Sequence, residues 1–168
     1  PVAQADGGTF PPNSPVTIEA TVTDTGSGLQ ASAVPLDLDV DLEAPVVTIT
    51  DTGVNSGVGV DGVLNIAEQD NGITVRGTTD GVENGQSVTV TFAEGGVPYT
   101  GVVDEGEWSV FIPPAASLSG LEDGANVTVT ANVEDAAGNS ADEDTDSFVT
   151  DLAAPTLRID DISGDNQI

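Results

Sequence analysis

One phrase occurs twice, and its spacing sets the size of the folding unit. Asp41-Leu-Glu-Ala-Pro45 returns as Asp151-Leu-Ala-Ala-Pro155, with the two prolines 110 residues apart, about one domain's length of chain. The residues after each copy also agree. Val46-Val-Thr-Ile49 and Thr156-Leu-Arg-Ile159 both put large apolar residues at alternate positions. Proline cannot donate into the interior of a ladder, so it marks a strand start. Each phrase therefore reads as a joint that leaves a carboxylate where two domain ends meet. A second match runs at nearly the same interval: Val16-Thr-Ile-Glu-Ala-Thr-Val-Thr-Asp24 corresponds to Val127-Thr-Val-Thr-Ala-Asn-Val-Glu-Asp135, and Pro11-Pro12 echoes Pro113-Pro114. The sequence reads as a window on a tandem array. Residues 1–43 are the C-terminal part of one repeat, 44–153 a complete repeat, and 154–168 the start of another.

Within the complete repeat, period-two alternation predicts strands near 46–50, 73–79, 87–92, 97–103, 108–112, 127–133 and 145–150, with turn signals between them. Asp80-Gly-Val-Glu-Asn-Gly85, Asp104-Glu-Gly106 and Asp135-Ala-Ala-Gly-Asn139 are the clearest turns. Residues 51–71 read as a long Gly-rich loop, and 115–121 has room for one helical turn. About seven short strands in about 110 residues predict an all-β, Ig-like antiparallel β-sandwich. Trp108 is in phase with Val110 and Ile112 and reads as a core residue between the sheets.

Charge and missing residue types then narrow the function. The chain carries 29 acidic residues against two arginines, no lysine and no histidine, for a net charge of −27. Nucleic acid and anionic membranes would repel such a surface, and no apolar run approaches a membrane span. Hydrophobic content of 38% separates it from a disordered acidic tail. Without Cys there is no disulfide framework. Without Cys and His the common zinc, haem and iron–sulfur sites are excluded, whereas hard oxygen donors for calcium abound. The usual catalytic bases and nucleophiles are also missing. A carboxylate pair could still hydrolyse glycosides, but the aromatic residues that would form sugar platforms are few. The expectation is a protein that is not an enzyme. Asn126-Val-Thr128 fits a glycosylation acceptor, which reads as a chance match at a strand start.

Gln86-Ser-Val-Thr-Val-Thr-Phe92, Tyr99-Thr-Gly101, Gly106-Glu-Trp-Ser-Val110, Val127-Thr-Val-Thr130, Asp135-Ala-Ala-Gly-Asn139 and Asp151 ahead of Ala154-Pro155 together resemble bacterial Ig-like repeats from the extender region of giant RTX-type surface adhesins. The resemblance covers the complete repeat and, more loosely, both flanks; Asp24-Thr-Gly-Ser-Gly28 departs from the Asp-Ala-Ala-Gly-Asn turn. It implies an extracellular, cell-surface spacer with calcium stiffening the domains or their joints.

The strand order itself gathers acids at two poles. One pole collects Asp41, Glu43 and the turns holding Asp104, Asp135 and Asn139; the other collects Asp61 and Glu68 of the long loop and Asp151 at the exit. Asp165 sits where the loop around Asp61 is echoed. These nine residues are the candidate calcium ligands. The runs Asp37, Asp39, Asp41 and Asp142, Asp144, Asp146 begin with EF-hand spacing but lack its later Gly and Glu; they read as solvated strand faces. The leading expectation is a calcium-stiffened spacer whose partners are neighbouring repeats of the same chain. The alternatives are a filament subunit that self-associates by strand addition and a module binding glycan or protein through its loops.

Overall fold

The structure, a computed structural model, describes residues 14–54, 62–92, 96–114 and 118–159. Four short strands come first: β1 (Val16–Ile18), β2 (Thr21–Thr23), β3 (Gln30–Ser32) and β4 (Leu36–Leu38). β5 (Val46–Asp51), β6 (Val63–Asn65), α1 (Ile66–Asn71), β7 (Ile73–Asp80) and β8 (Ser87–Phe92) follow. β9 (Tyr99–Val102), β10 (Glu107–Ile112), β11 (Asn126–Val133) and β12 (Asp144–Asp151) complete the order.

The alternating sequence dictates two half-buried sheets, because successive side chains of a strand point to opposite faces. One sheet has the order β10-β7-β5 and the other β6-β12-β11-β8-β9. Val47, Ile49, Ile73, Val75, Trp108, Val110 and Ile112 bury from the first. Val88, Val90, Phe92, Val127, Val129, Ala131, Val133 and Phe148 bury from the second. Burying an aliphatic or aromatic side chain of this size contributes about 1.5–3 kcal/mol. Phe92 and Phe148 meet edge to face with centroids 6.1 Å apart. Trp108 takes its expected core place, and its Nε1 donates to the Thr78 carbonyl at 3.2 Å. It has room because Gly77 lies opposite it; a Cβ on Gly77 would overlap the Thr48 carbonyl oxygen and the indole. The fold is an all-β, Ig-like sandwich.

The stretch 51–71 is not simply a loop. Among the described residues eight strands, rather than about seven, lie between Val46 and Asp151. The extra one, β6, pairs parallel with β12 through Val63↔Val149, Thr150↔Leu64 and Asp151↔Asn65. α1 starts immediately after it, at a capping box. Asn65 Oδ1 accepts from the Glu68 N–H at 3.1 Å, and the Glu68 carboxylate accepts from the Asn65 N–H at 3.0 Å, which satisfies two donors a helix start otherwise leaves open. Of the turn expected within 115–121, residues 115–117 lie outside the described residues. At its end Leu121 N–H donates to the Leu118 carbonyl at 3.2 Å, and Leu118 is buried.

The four N-terminal strands pair among themselves, β1 with β4 and β2 with β3. Among the described residues, every buried hydrophobic side chain lies between Val47 and Phe148, whereas Ile18, Val22, Leu36 and Leu38 are exposed.

Candidate functional site

The registers place both poles. β5 starts opposite the end of β7 (Val46↔Asp80), and β8 starts opposite the end of β11 (Val88↔Val133). The inlet of the chain, the 81–86 turn, the Asp104–Gly106 turn and the 134–143 segment therefore share one pole. The ends of β5, β8, β10 and β12 share the other.

At the inlet pole the turns are cross-linked by side chains. Glu83 Oε2 accepts from Ala136 N–H at 2.8 Å, and Asn84 Oδ1 accepts from Glu105 N–H at 2.8 Å. The second contact holds Glu105 at φ 51°, the one non-glycine residue with positive φ among the described residues, a conformation that side chains other than Asn and Asp rarely adopt. Asp135 is buried and organises its own turn. Its Oδ1 accepts from Asn139 N–H and its Oδ2 from Asn139 Nδ2, both at 2.8 Å. Burial pushes the Asp135 carboxyl up, but the Asn139 side chain and the N–H groups of Asn139, Gly138 and Ala137 outweigh it and leave the carboxyl below its ordinary value. The same Asn139 Nδ2 reaches the Asp41 carbonyl at 3.3 Å. Pro45 is buried, and Gly81 lies against it. The Asp41–Pro45 segment is thus docked on the sandwich by an amide at one end and a proline at the other.

Two clefts flank this segment. One of about 270 Å³ is lined by Asp41, Glu43, Ala44, Pro45, Val46, Asp80 and Gly81. The other, of about 450 Å³, lies between Asp39–Asp41 and Glu83, Ala136 and Ala137.

The nine candidate ligands fall as follows. Asp41, Glu43, Asp135 and Asn139 gather at the inlet pole. Asp104 is exposed beside its turn, on a cleft of about 430 Å³ shared with Arg76, Glu107 and Trp108. Glu68 caps α1, and the exposed Asp151 ends β12 at the far pole, its Oδ1 accepting from Ala153 N–H at 3.4 Å. Asp61 and Asp165 lie outside the described residues. Among the described residues no three acidic side chains converge as a metal would require. Sequence reasoning missed Asp80, Glu83 and Asn84, although their turn was recognised. It also missed Asp123, whose Oδ1 accepts from Leu152 N–H at 2.7 Å and ties down the exit.

The Ig-like sandwich has solved counterparts. The chain is similar to bacterial immunoglobulin-like domains of large adhesins. One is the domain from the M. primoryensis ice-binding adhesin, at 28% identity over 66% of this chain and 98% of that one, with a TM-score of 0.43. Another is from a 1.5-MDa bacterial ice-binding adhesin, in a structure concerned with retention at the host cell surface; it has 26% identity, covers 83% of this chain and 42% of that one, and has a TM-score of 0.46. A third is from a Ca2+-stabilized adhesin that helps an Antarctic bacterium reach out and bind ice, at 27% identity over 84% of this chain and 32% of that one, with a TM-score of 0.46. The chain thus spans less than half the length of the latter two. No family model and no curated protein matches the sequence.

Proposed function

We propose that the chain is a non-catalytic spacer repeat of a large extracellular bacterial adhesin, in which tandem sandwiches are joined by short acidic segments and stiffened by calcium at the cell surface. The observation that carries the reading is the docked joint: Asp41–Pro45 is held against the inlet pole by Asn139 and by its own buried proline. A segment fixed in this way passes the orientation of one sandwich to the next, which a spacer needs and a flexible tether lacks.

Calcium enters through the chemistry of the donors. The pole offers only oxygen ligands of the kind calcium prefers. The Asp135 carboxylate is committed to its turn and that of Glu68 to its helix cap, so the ion would be held by Asp41, Glu43 and Asp80 around the joint cleft. Two carboxylates about 6 Å apart repel by roughly 0.7 kcal/mol in water, and a shared cation reverses that sign. Because the ion must gather exposed side chains, the affinity expected is that of extracellular modules, a Kd of about 10⁻⁴–10⁻³ M.

Thermal melting combined with small-angle scattering tests the reading, in excess EDTA and then in millimolar calcium, with magnesium and sodium chloride as controls. At tenfold excess over Kd one site adds about 1.4 kcal/mol, a rise of roughly 5–8 °C for a domain of this size, together with a longer and stiffer particle. If sodium chloride gives the same rise, the acids form a generic solvated surface and the calcium assignment falls. If the particle is a flexible tether under every condition, the spacer reading falls with it.

A further inference from the structure

The outer face of the β10-β7-β5 sheet carries hydroxyls at its outward positions, as at Thr50, Thr78 and Ser109, and in their midst stands Arg76. Arg76 is one of two cations in a chain with 29 acidic residues. It pairs across the ladders with Ser109 of β10 and Asp51 of β5. Its guanidinium nevertheless forms no ion pair among the described residues. Asp51 is engaged with its own turn, where its Oδ1 accepts from Gly53 N–H at 2.8 Å. Thr50 Oγ1 donates to the Arg76 carbonyl at 3.4 Å, a bond to the backbone that leaves the side chain uncommitted.

Arg76 lines the cleft of about 430 Å³ that also holds Asp104, a volume within the range of small-molecule sites. The carboxylates of Asp104 and Glu107 offer it acceptors. The hydroxyls of Thr50, Thr78 and Ser109 both donate and accept. Trp108 is buried and Val102 is exposed, so the apolar part of the wall is aliphatic and not an aromatic face. These groups select a ligand by its chemistry. A flat aromatic ligand finds no ring to stack on. A phosphate or other multiply charged anion meets Asp104, Glu107 and a net charge of −27, which repel it. A single planar carboxylate matches the guanidinium fork, and hydroxyls placed around that carboxylate match the acceptors and hydroxyls of the wall.

We propose that this cleft binds a saccharide unit bearing one carboxylate, a uronic acid, with Arg76 taking the carboxylate and Asp104, Glu107 and Ser109 taking ring hydroxyls. The site lies on a sheet face, needs no metal, and shares no lining residue with the joint cleft around Asp41 and Asp80. It therefore stands apart from calcium and from the spacer role, and either can fail without the other.

Backbone-amide NMR of the 168-residue chain tests the proposal, in EDTA and about 0.15 M salt, where the protein's field is screened beyond about 8 Å. The probes are methyl β-glucuronide and methyl β-glucoside, which differ only at the exocyclic carbon, and acetate, which has the carboxylate alone. The glucuronide should shift the amides of Arg76, Thr78 and Ser109 with a Kd of about 1 mM, ordinary for a ligand of its size. The glucoside should bind about 10-fold more weakly, the loss of one charge-assisted pair at an exposed site. Arg76→Gln should remove that preference, so that both sugars bind alike, while the rest of the amide spectrum matches the parent's. Five results would overturn the proposal. They are no saturable shift of these amides by the glucuronide; a glucoside that binds as tightly; a preference that survives Arg76→Gln; acetate binding as tightly as the glucuronide, since the carboxylate alone is then recognised; and shifts of the same amides with protein concentration that Arg76→Gln removes, since those place a second copy's carboxylate in the cleft.

Discussion

Asp144 carries the most informative single change outside the joint. It belongs to β12, yet its Oδ2 accepts from the Ile49 N–H of β5 at 2.7 Å, across the sandwich and 95 residues away in sequence. The bond joins the two sheets and satisfies a backbone donor on the edge strand β5, which would otherwise be open to a foreign strand. A hydrogen bond to a charged group contributes about 1.5–3 kcal/mol. Asp144 is half-buried, so the lower part of that range applies to Asp144→Ala. Asp142, Glu143 and Asp146 are neighbours of Asp144 along the chain in the folded and the unfolded state alike, so their repulsion largely cancels in the stability difference. The direct contact is short and sheltered and is little screened by salt. Asp144→Ala therefore costs about 1.5 kcal/mol, and the cost stays nearly the same at salt concentrations of 0.01 M, 0.15 M and 1 M. Asp144→Asn keeps an acceptor and costs about half as much. Urea unfolding in EDTA at the three salt concentrations measures this, with unchanged m-values as the control for two-state behaviour. A cost that shrinks as salt is added, or an Asp144→Ala protein as stable as the parent in 1 M salt, would refute the reasoning.

Three further outcomes are expected. Gly77→Ala drives a methyl into the Thr48 carbonyl and the Trp108 ring; it should cost about 2–4 kcal/mol and blue-shift tryptophan fluorescence less completely on folding than in the parent, both read in one urea titration. Asp135 has its folded carboxyl held below the ordinary value, so its contribution is present above the unfolded value and disappears as pH falls through the folded one. Asp135→Asn should accordingly be less stable than the parent at neutral pH, with the difference closing below about pH 4, as measured by urea unfolding between pH 7 and 2.5. Asn65→Ala removes the α1 cap and should cost about 1 kcal/mol, whereas Glu68→Gln keeps the reciprocal bond and costs a few tenths at most, both read by urea unfolding in EDTA.

The sandwich was legible in the sequence because burial on one face of a strand writes itself as alternation, as in Val88, Val90, Phe92 and in Trp108, Val110, Ile112. The pole containing Asp41, the 80–85 turn and Asp135 could also be anticipated, since up-and-down strands collect alternate turns at one end. α1 and β6 were hidden for different reasons. Asn65 and Glu68 do stand in capping-box spacing, but the glycines around them favoured a loop reading. The parallel pairing of β6 with β12 joins segments more than eighty residues apart, and three residues carry too little pattern to announce a strand. The bond from Asp144 to Ile49 is invisible to any local rule, since nothing near Asp144 distinguishes it from the exposed Asp142 or Asp146. At the candidate site, residue types and general location could be read, but not the employment of each oxygen. Whether a carboxylate caps a helix, closes its own turn or faces a joint depends on which N–H groups the fold brings within reach.

The placement of the chain's inlet and exit has a mechanical consequence. Tension applied through Pro45 and Asp151 pulls from opposite poles, along the strand direction. The first and last strands, β5 and β12, cannot then be peeled away one hydrogen bond at a time. Their ladders with β7 and β11, and the parallel β6–β12 contact, must slide, so that several bonds resist together and fail together. Under such tension the sandwich between Pro45 and Asp151 resists as a stiff unit with a high rupture threshold.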